Sequence, residues 1–188
     1  MCIRDRYKSL ELNVEFLSDE NKNLQKILET EYFNKNLSNI VLAKVLVDKN
    51  SPFLKSIIIN KGTRTGILKG MPVTHNNYLV GRIVETNYLS SRVLLLNDLN
   101  SRIPVTLDQG AQAILSGSGK NNPILEYLPE DYKIIDEINV FASGKDGIFS
   151  PGTPIGITNL DGEVELYVDP NQLSFVTVNL SIQNLGKL

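Results

Sequence analysis

Histidine, serine and a carboxylate can together run a hydrolysis, the imidazole taking the hydroxyl proton while the carboxylate holds its tautomer. The chain has one histidine, His75, so it is the first residue to weigh. It lies in His75-Asn76-Asn77-Tyr78, a polar segment between Val73 and Leu79 that reads as a hairpin tip, where an exposed turn histidine is the ordinary outcome. Asp98 with Ser116 or Ser118 would have to complete a triad from elsewhere, and their spacing gives that arrangement no support. Ser116-Gly117-Ser118-Gly119-Lys120 resembles a nucleotide loop only in part. Ile114 stands where its first glycine must be, and Asn121 replaces the Ser or Thr that would meet magnesium. Cys2 and His75 supply no paired soft metal ligands, and the acid pairs Glu130-Asp131 and Asp136-Glu137 do not follow a calcium-loop pattern. Those acids read as solvated loop charges, and nothing nominates a carboxylate pair for glycoside cleavage, whose separation is spatial. The expectation is a protein without catalytic residues, metal or cofactor.

Glycine spacing carries the next step. Gly62, Gly66 and Gly70 recur every four residues, which reads as consecutive turns between β segments, glycine being cheap wherever φ must be positive. A phosphate cradle is the rival reading, but no order of strand, glycine loop and long helix accompanies it.

The elements around these turns are short β-branched runs. Candidate strands are 41–47, 57–59, 79–85, 92–96, 103–107, 111–115, 124–128, 137–142, 154–158, 163–168 and 175–182, at intervals typical of small barrels or sandwiches. The last is the clearest: Val176, Val178, Leu180 and Ile182 alternate with Phe175, Thr177, Asn179 and Ser181, the period-two pattern of a half-buried strand. Asp161-Gly162 between two such runs suits a tight hairpin. Pro104 confines its strand to a sheet edge or marks where it begins. No 10-to-15-residue helical pattern intervenes between strands, so a parallel α/β sheet is not expected.

Ahead of the β region stands a different periodicity. Tyr7, Leu10, Val14, Leu17, Asn21, Leu24 and Leu28 follow a 3-4-3-4 spacing, with Tyr7, Val14, Asn21 and Leu28 at a positions and the leucines between at d. A β-branched residue at a with leucine at d favours two parallel strands, and a buried Asn21 satisfies its amide against a partner's asparagine in one register only. The expected dimer interface is Leu10, Val14, Leu17, Asn21, Leu24 and Leu28. An amphipathic helix packed on the chain's own β domain satisfies the same pattern, since the repeat is short.

Composition sets bounds on the rest. At 188 residues the chain holds one or two small β domains beyond the helix. A net charge of −2 with scattered Lys and Arg offers no basic stripe, so nucleic-acid binding is not expected. The single cysteine closes no internal disulfide, and no apolar run reaches the roughly eighteen residues that span a bilayer. The expected divisions are a non-native or truncated leader over 1–6, a coiled-coil helix over 7–36, β domains over 38–110 and 111–182, with strand exchange between them allowed, and a tail over 183–188.

Several segments, in order, carry a family likeness: Ile59-Asn60-Lys61-Gly62 with Gly66 and Lys69-Gly70-Met71-Pro72-Val73; Leu79-Val80-Gly81-Arg82-Ile83-Val84; Ser91-Arg92-Val93-Leu94-Leu95-Leu96-Asn97-Asp98 with Ser101-Arg102-Ile103-Pro104-Val105; and Ala142-Ser143-Gly144 with Asp146-Gly147-Ile148-Phe149-Ser150-Pro151-Gly152-Thr153-Pro154-Ile155-Gly156. Between Val41 and Val178 the chain resembles the extracytoplasmic part of the MreC family, the rod shape-determining proteins of bacteria. The resemblance implies a mainly β fold, an N-terminal coiled-coil helix followed by two small β-barrel domains, with structural turn glycines at Gly62, Gly66, Gly70, Gly81, Gly144, Gly147, Gly152 and Gly156. It implies a scaffold of the cell-elongation machinery on the periplasmic side of the inner membrane, held by a single-pass anchor absent from this sequence. The implied partners are a class B penicillin-binding transpeptidase, MreD and the MreB system. The family usually has a Gly-Asp pair before the strand at Val140, where this chain reads Ile135-Asp136-Glu137-Ile138-Asn139. Phe53, Tyr78, Tyr88 and Phe149, aromatic residues in or near expected loops, are candidates both for partner contact and for the core. The runner-up reading is a periplasmic adaptor of an efflux or secretion system, which would call for a second long heptad segment.

Overall fold

A computed structural model describes residues 8, 12–14, 16–22, 40–50, 55–129, 132 and 137–180, in two compact units divided between Ser38 and Asn39. In the first unit residues 12–14 and 16–22 are helical. Val14 and Leu17 are 65% and 56% exposed, and Asn21 is exposed too. Tyr7, Leu10, Leu24, Leu28, Phe53, the leader and the tail lie outside the described residues. Among the described residues no helix is long and apolar enough to cross a membrane.

Among the described residues the second unit consists of β-strands apart from short 3-10 turns. Its strands are β1 (Ile40–Asn50), β2 (Lys55–Ile59), β3 (Pro72–His75), β4 (Tyr78–Thr86), β5 (Ser91–Leu95), β6 (Arg102–Leu107), β7 (Gln112–Ser116), β8 (Ile124–Glu126), β9 (Asn139–Ala142), β10 (Pro154–Thr158), β11 (Val164–Leu166) and β12 (Phe175–Asn179). β3 has no counterpart among the expected strands, because four residues opening with proline carry too little alternation to be seen. It exists through its neighbour: the Asn76-Asn77 turn, with φ of 50° and 69°, folds β3 onto β4 as a two-residue hairpin.

Six strands close into a barrel in the order β1-β12-β3-β4-β5-β2, and six form a second sheet in the order β11-β10-β9-β6-β7-β8. The edges of that second sheet meet at the Ile124–Glu163 bridge, which gives it a barrel-like curl. The mainly β architecture with two barrel-like sheets is as the sequence led one to expect. Strand pairing, however, divides the chain differently from a cut at Gly110. β6, before that point, belongs to the second sheet, while β12, the last of the described strands, pairs with β1 and β3 and closes the first barrel. The second sheet is thus an insertion between β5 and β12.

Each barrel has its own core. Alternate residues of the first barrel's strands point inward, so that Ala43, Ile57, Ile59, Val73, Val80, Ile83, Val93, Leu95, Val176 and Val178 pack together with Ile67 and Met71. The second core gathers Ile103, Val105, Leu107, Leu115, Val140, Ile155 and Val164, and Phe149 from the 144–152 loop fills it. Leu79 and Leu96, from the first barrel's side of the chain, also join this second core. The two barrels therefore share apolar contacts as well as a linker.

Pro104 lies in a strand with neighbours on both sides, not at a sheet edge. Pairing of β6 with β9 begins only at Val105, so the missing N–H of Pro104 falls just before the ladder that would have needed it. Two of the expected turn glycines sit inside strands. A Cβ on Gly81 would stand 2.0 Å from the Leu94 carbonyl oxygen, and one on Gly156 2.1 Å from that of Glu165, so both keep neighbouring backbone close. Gly66, Gly70, Gly144, Gly147 and Gly152 have the positive φ that turns require, and Gly62 allows the 86–90 loop to approach.

Candidate interaction site

The residues weighed for hydrolysis are each engaged apart from one another. His75 Nδ1 is 2.8 Å from the Phe175 carbonyl oxygen, Ser116 donates to Glu126 Oε2 at 2.7 Å, and Ser118 donates to the Asn122 carbonyl at 2.6 Å. Asp98 is fully buried and bonded to neither serine. Among the described residues no three His, Cys, Asp or Glu side chains gather as a metal site. Of the loop acids only Glu137 is described, and it sits in a turn with φ of 60°. Cys2, Glu130, Asp131 and Asp136 lie outside the described residues. The geometry that remains is that of surfaces, set by how the two barrels are joined.

Asp98 is the centre of that joint. The Asn97–Ser101 linker between β5 and β6 turns sharply, and the Asp98 carboxylate accepts from its own Asn100 backbone N–H at 2.8 Å and from the Asn100 amide at 3.1 Å. Its second oxygen accepts from the Lys55 backbone N–H at 2.6 Å, tying the linker to the start of β2. The 116–122 loop of the second sheet lies against this turn. Gly119 N–H donates to the Asn97 carbonyl, Gly117 N–H to that of Ser101, and the Asn97 amide reaches the Lys120 carbonyl at 3.0 Å. A Cβ on Gly117 would stand 1.8 Å from the Asp98 carbonyl oxygen, so only glycine lets the two loops meet. The glycine-rich segment that resembled part of a nucleotide loop is packing surface for the linker.

A second bridge joins the barrels on another side. Tyr78 of β4 and Tyr167 after β11 lie with ring centroids 5.0 Å apart at a tilt of 41°, and the Tyr167 hydroxyl donates to Asn139 Oδ1. Asn139 in turn donates to Asp108 Oδ2 at 3.1 Å. Burial raises the Tyr167 pKa above the usual phenol value, and Tyr78 and Asp108 add to the shift. The protonated form is therefore favoured by folding. Its contribution is intact below about pH 10, the unfolded value, and is lost as pH climbs through the raised folded value. A Tyr167→Phe chain should melt below the parent at pH 8, and that gap should narrow as pH rises above about 10. A constant gap in paired thermal melts would refute the assignment.

A cleft of about 300 Å³ is lined by residues of both barrels, Ile40, Pro72, Leu79, Phe149, Pro151 and Asn179 among them. Of the aromatic contact candidates, Phe149 is 1% exposed and belongs to the second core, and Tyr78 is half-buried against Tyr167. Tyr88 is 67% exposed beside Leu89 at 59%, on the β4–β5 turn, and it remains available to a partner. Phe53 is outside the described residues. Sequence reasoning passed over Tyr167, and the only trace of its role is an aromatic after a short strand.

Residues 45–179 match the family described as rod shape-determining protein MreC, barrel core. The cell shape-determining protein MreC of Caulobacter vibrioides is 38% identical over 73% of this chain and 41% of its own length. That of Cereibacter sphaeroides is 36% identical over 79% of this chain and 53% of its own. The chain thus spans about half, or less, of these curated relatives. The crystal structure of MreC from Pseudomonas aeruginosa superposes with a TM-score of 0.68 at 26% identity, covering 75% of this chain and 99% of that one. MreC from Helicobacter pylori, solved in complex with the penicillin-binding protein PBP2, has the same fold at 12% identity, with a TM-score of 0.58 over 77% and 99% of the two chains.

Proposed function

The chain belongs to the MreC family of rod shape-determining proteins, and from that membership we propose that it is a non-catalytic periplasmic scaffold of the cell-elongation machinery. In this reading it organises and activates peptidoglycan synthases from the periplasmic side of the inner membrane. A class B penicillin-binding transpeptidase is its direct partner, and MreD and the MreB system connect it to the rest of the apparatus. The observation that carries the reading is the family match across both barrels, and the PBP2 complex of the Helicobacter pylori MreC supports the choice of partner. The relatives described above are MreC proteins, and none is an adaptor of an efflux or secretion system.

The heptad helix makes this scaffold a homodimer, which doubles a weak binding surface through effective concentration. Exposure of Val14 and Leu17 supports a partner helix over that seam. The test is affinity capture on detergent-solubilised inner membranes of a rod-shaped bacterium, with the chain as bait. Enrichment of a penicillin-binding transpeptidase is expected, whereas enrichment of a transporter with an outer-membrane channel would overturn the scaffold. In the same preparations an Asn21→Val chain should melt higher in its helix and relax its preference for two strands. Monomeric mass and unchanged melting for both chains would overturn the dimer.

A further inference from the structure

A groove of about 630 Å³ lies on the outer face of the first barrel and reaches Asn100 of the linker at one end. Its floor comes from the register of β4, β5 and β2: Arg82 pairs with Leu94, which pairs with Ser56, and one step along Glu85 pairs with Arg92, which pairs with Ile58. Leu94 points outward yet is only 8% exposed, and the groove's far wall is Asn100 of the linker and Ile148 of the second sheet's loop. Lys69 and Gly70 line it as well.

The charge of this groove is opposite to that of the chain. Three cations, Lys69, Arg82 and Arg92, and one carboxylate, Glu85, line it, in a protein of net charge −2. Glu85 Oε2 stands 3.5 Å from Arg92 Nε, an exposed pair of the kind that contributes little to stability and gives way to a better carboxylate. Among the described residues neither Arg82 nor Lys69 enters a salt bridge. The β5 backbone is hydrogen-bonded on both sides, to β4 and β2, so an occupant is held by side chains and not by adding a strand.

We infer that this groove docks an acidic peptide segment of another protein, with an apolar side chain seated on Leu94 and Ile148 and flanking carboxylates on Arg82 and Arg92. Arginine suits this task because its planar guanidinium grips a carboxylate through two hydrogen bonds. Arg82 and Arg92 are diagonal neighbours across the β4–β5 pair, about 7–8 Å apart at the backbone, close enough for one short segment to engage both. A membrane surface fits less well, since flat headgroups do not enter a recess with an apolar floor. The inference does not depend on the elongation role, because no component of that machinery enters it or its test.

The test is to pan a phage-displayed library of random dodecapeptides on the purified chain and to measure the selected peptides by fluorescence anisotropy. Peptides combining Asp or Glu with large apolar residues should be selected. They should bind at least tenfold more weakly to Arg82→Glu and to Arg92→Glu, more tightly to Glu85→Gln, and should shift the amide resonances of β4 and β5. Melting temperatures of the variants report on their folding, and Arg82→Gln serves where Arg82→Glu fails to fold. Selection of neutral or basic peptides, binding indifferent to Arg82, no selection at all, or binding to phosphatidylglycerol vesicles in place of peptides would each overturn the inference.

Discussion

An Asp98→Ala chain is expected to lose about 3 to 5 kcal/mol of stability, because the lost carboxylate accepts from two backbone N–H groups and one side-chain amide, and hydrogen bonds to a charged group are worth about 1.5–3 kcal/mol each. The cost does not stop at the bonds. Asp98 is 0% exposed and its bond to the Lys55 N–H is partly buried, so truncation leaves that donor without its acceptor and adds a desolvation penalty. For a body of this size the melting temperature should fall by roughly 10 °C. Asp98→Asn should recover part of the loss, since its carbonyl still serves one of the two directions. A melting point for Asp98→Ala within a degree of the parent would show that the linker is not held in the way described.

Ending the chain after Asp169 should open the first barrel while leaving the second sheet's strands in place. β12 contributes Val176 and Val178, both fully buried, worth about 3 to 6 kcal/mol together. Its removal also leaves β1 and β3 with unpaired edges. Against a typical total stability of about 5–15 kcal/mol this is enough to melt β1 to β5. In amide NMR spectra, dispersed signals of β1 to β5 should collapse and those of β6 to β11 persist, weakened by the loss of Leu79 packing in the second core. A truncated chain that kept its β1 and β4 signals would contradict the topology.

β12 also shows what sequence can and cannot convey. Its alternation announces a half-buried strand at Val176 and Val178, because the side-chain period is a property of the strand itself. Its neighbours are not written there, since any apolar face of similar length satisfies the same pattern. Position beside the second domain's strands made that domain the natural home, and pairing with β1 defeated the proximity rule. Asp98 is a similar mixture. Its bond to Asn100 is a local turn, legible in Asn97-Asp98-Leu99-Asn100, while its bond to Lys55 depends on a residue far away in the chain. Gly117 resembled part of a ligand loop for the same reason: glycine marks close approach without saying what approaches. Arg82, Arg92 and Leu94 read in the sequence as strand residues and as parts of the family segments, with nothing to say that they share a surface. Their shared outer face appears once register is known, and register is set by the inward-facing residues, not by them.

The return of β12 to β1 has a consequence for the order in which the nascent protein acquires its shape. Ile40 meets Asn179 across the first barrel, so the ring around the first core cannot be sealed until synthesis has passed the whole inserted sheet. β1 to β5 emerge first and wait as an open, curled sheet, its unsealed margins exposed to whatever chaperone or sister chain is near. The inserted sheet, whose strands are contiguous from β6 to β11, is free to fold in the meantime. Closure over so long a span makes the final step slow relative to hairpin formation. β12 therefore acts as the kinetic gate of the first barrel, and a chain released before β12 is complete leaves the edges of β1 and β3 unpaired.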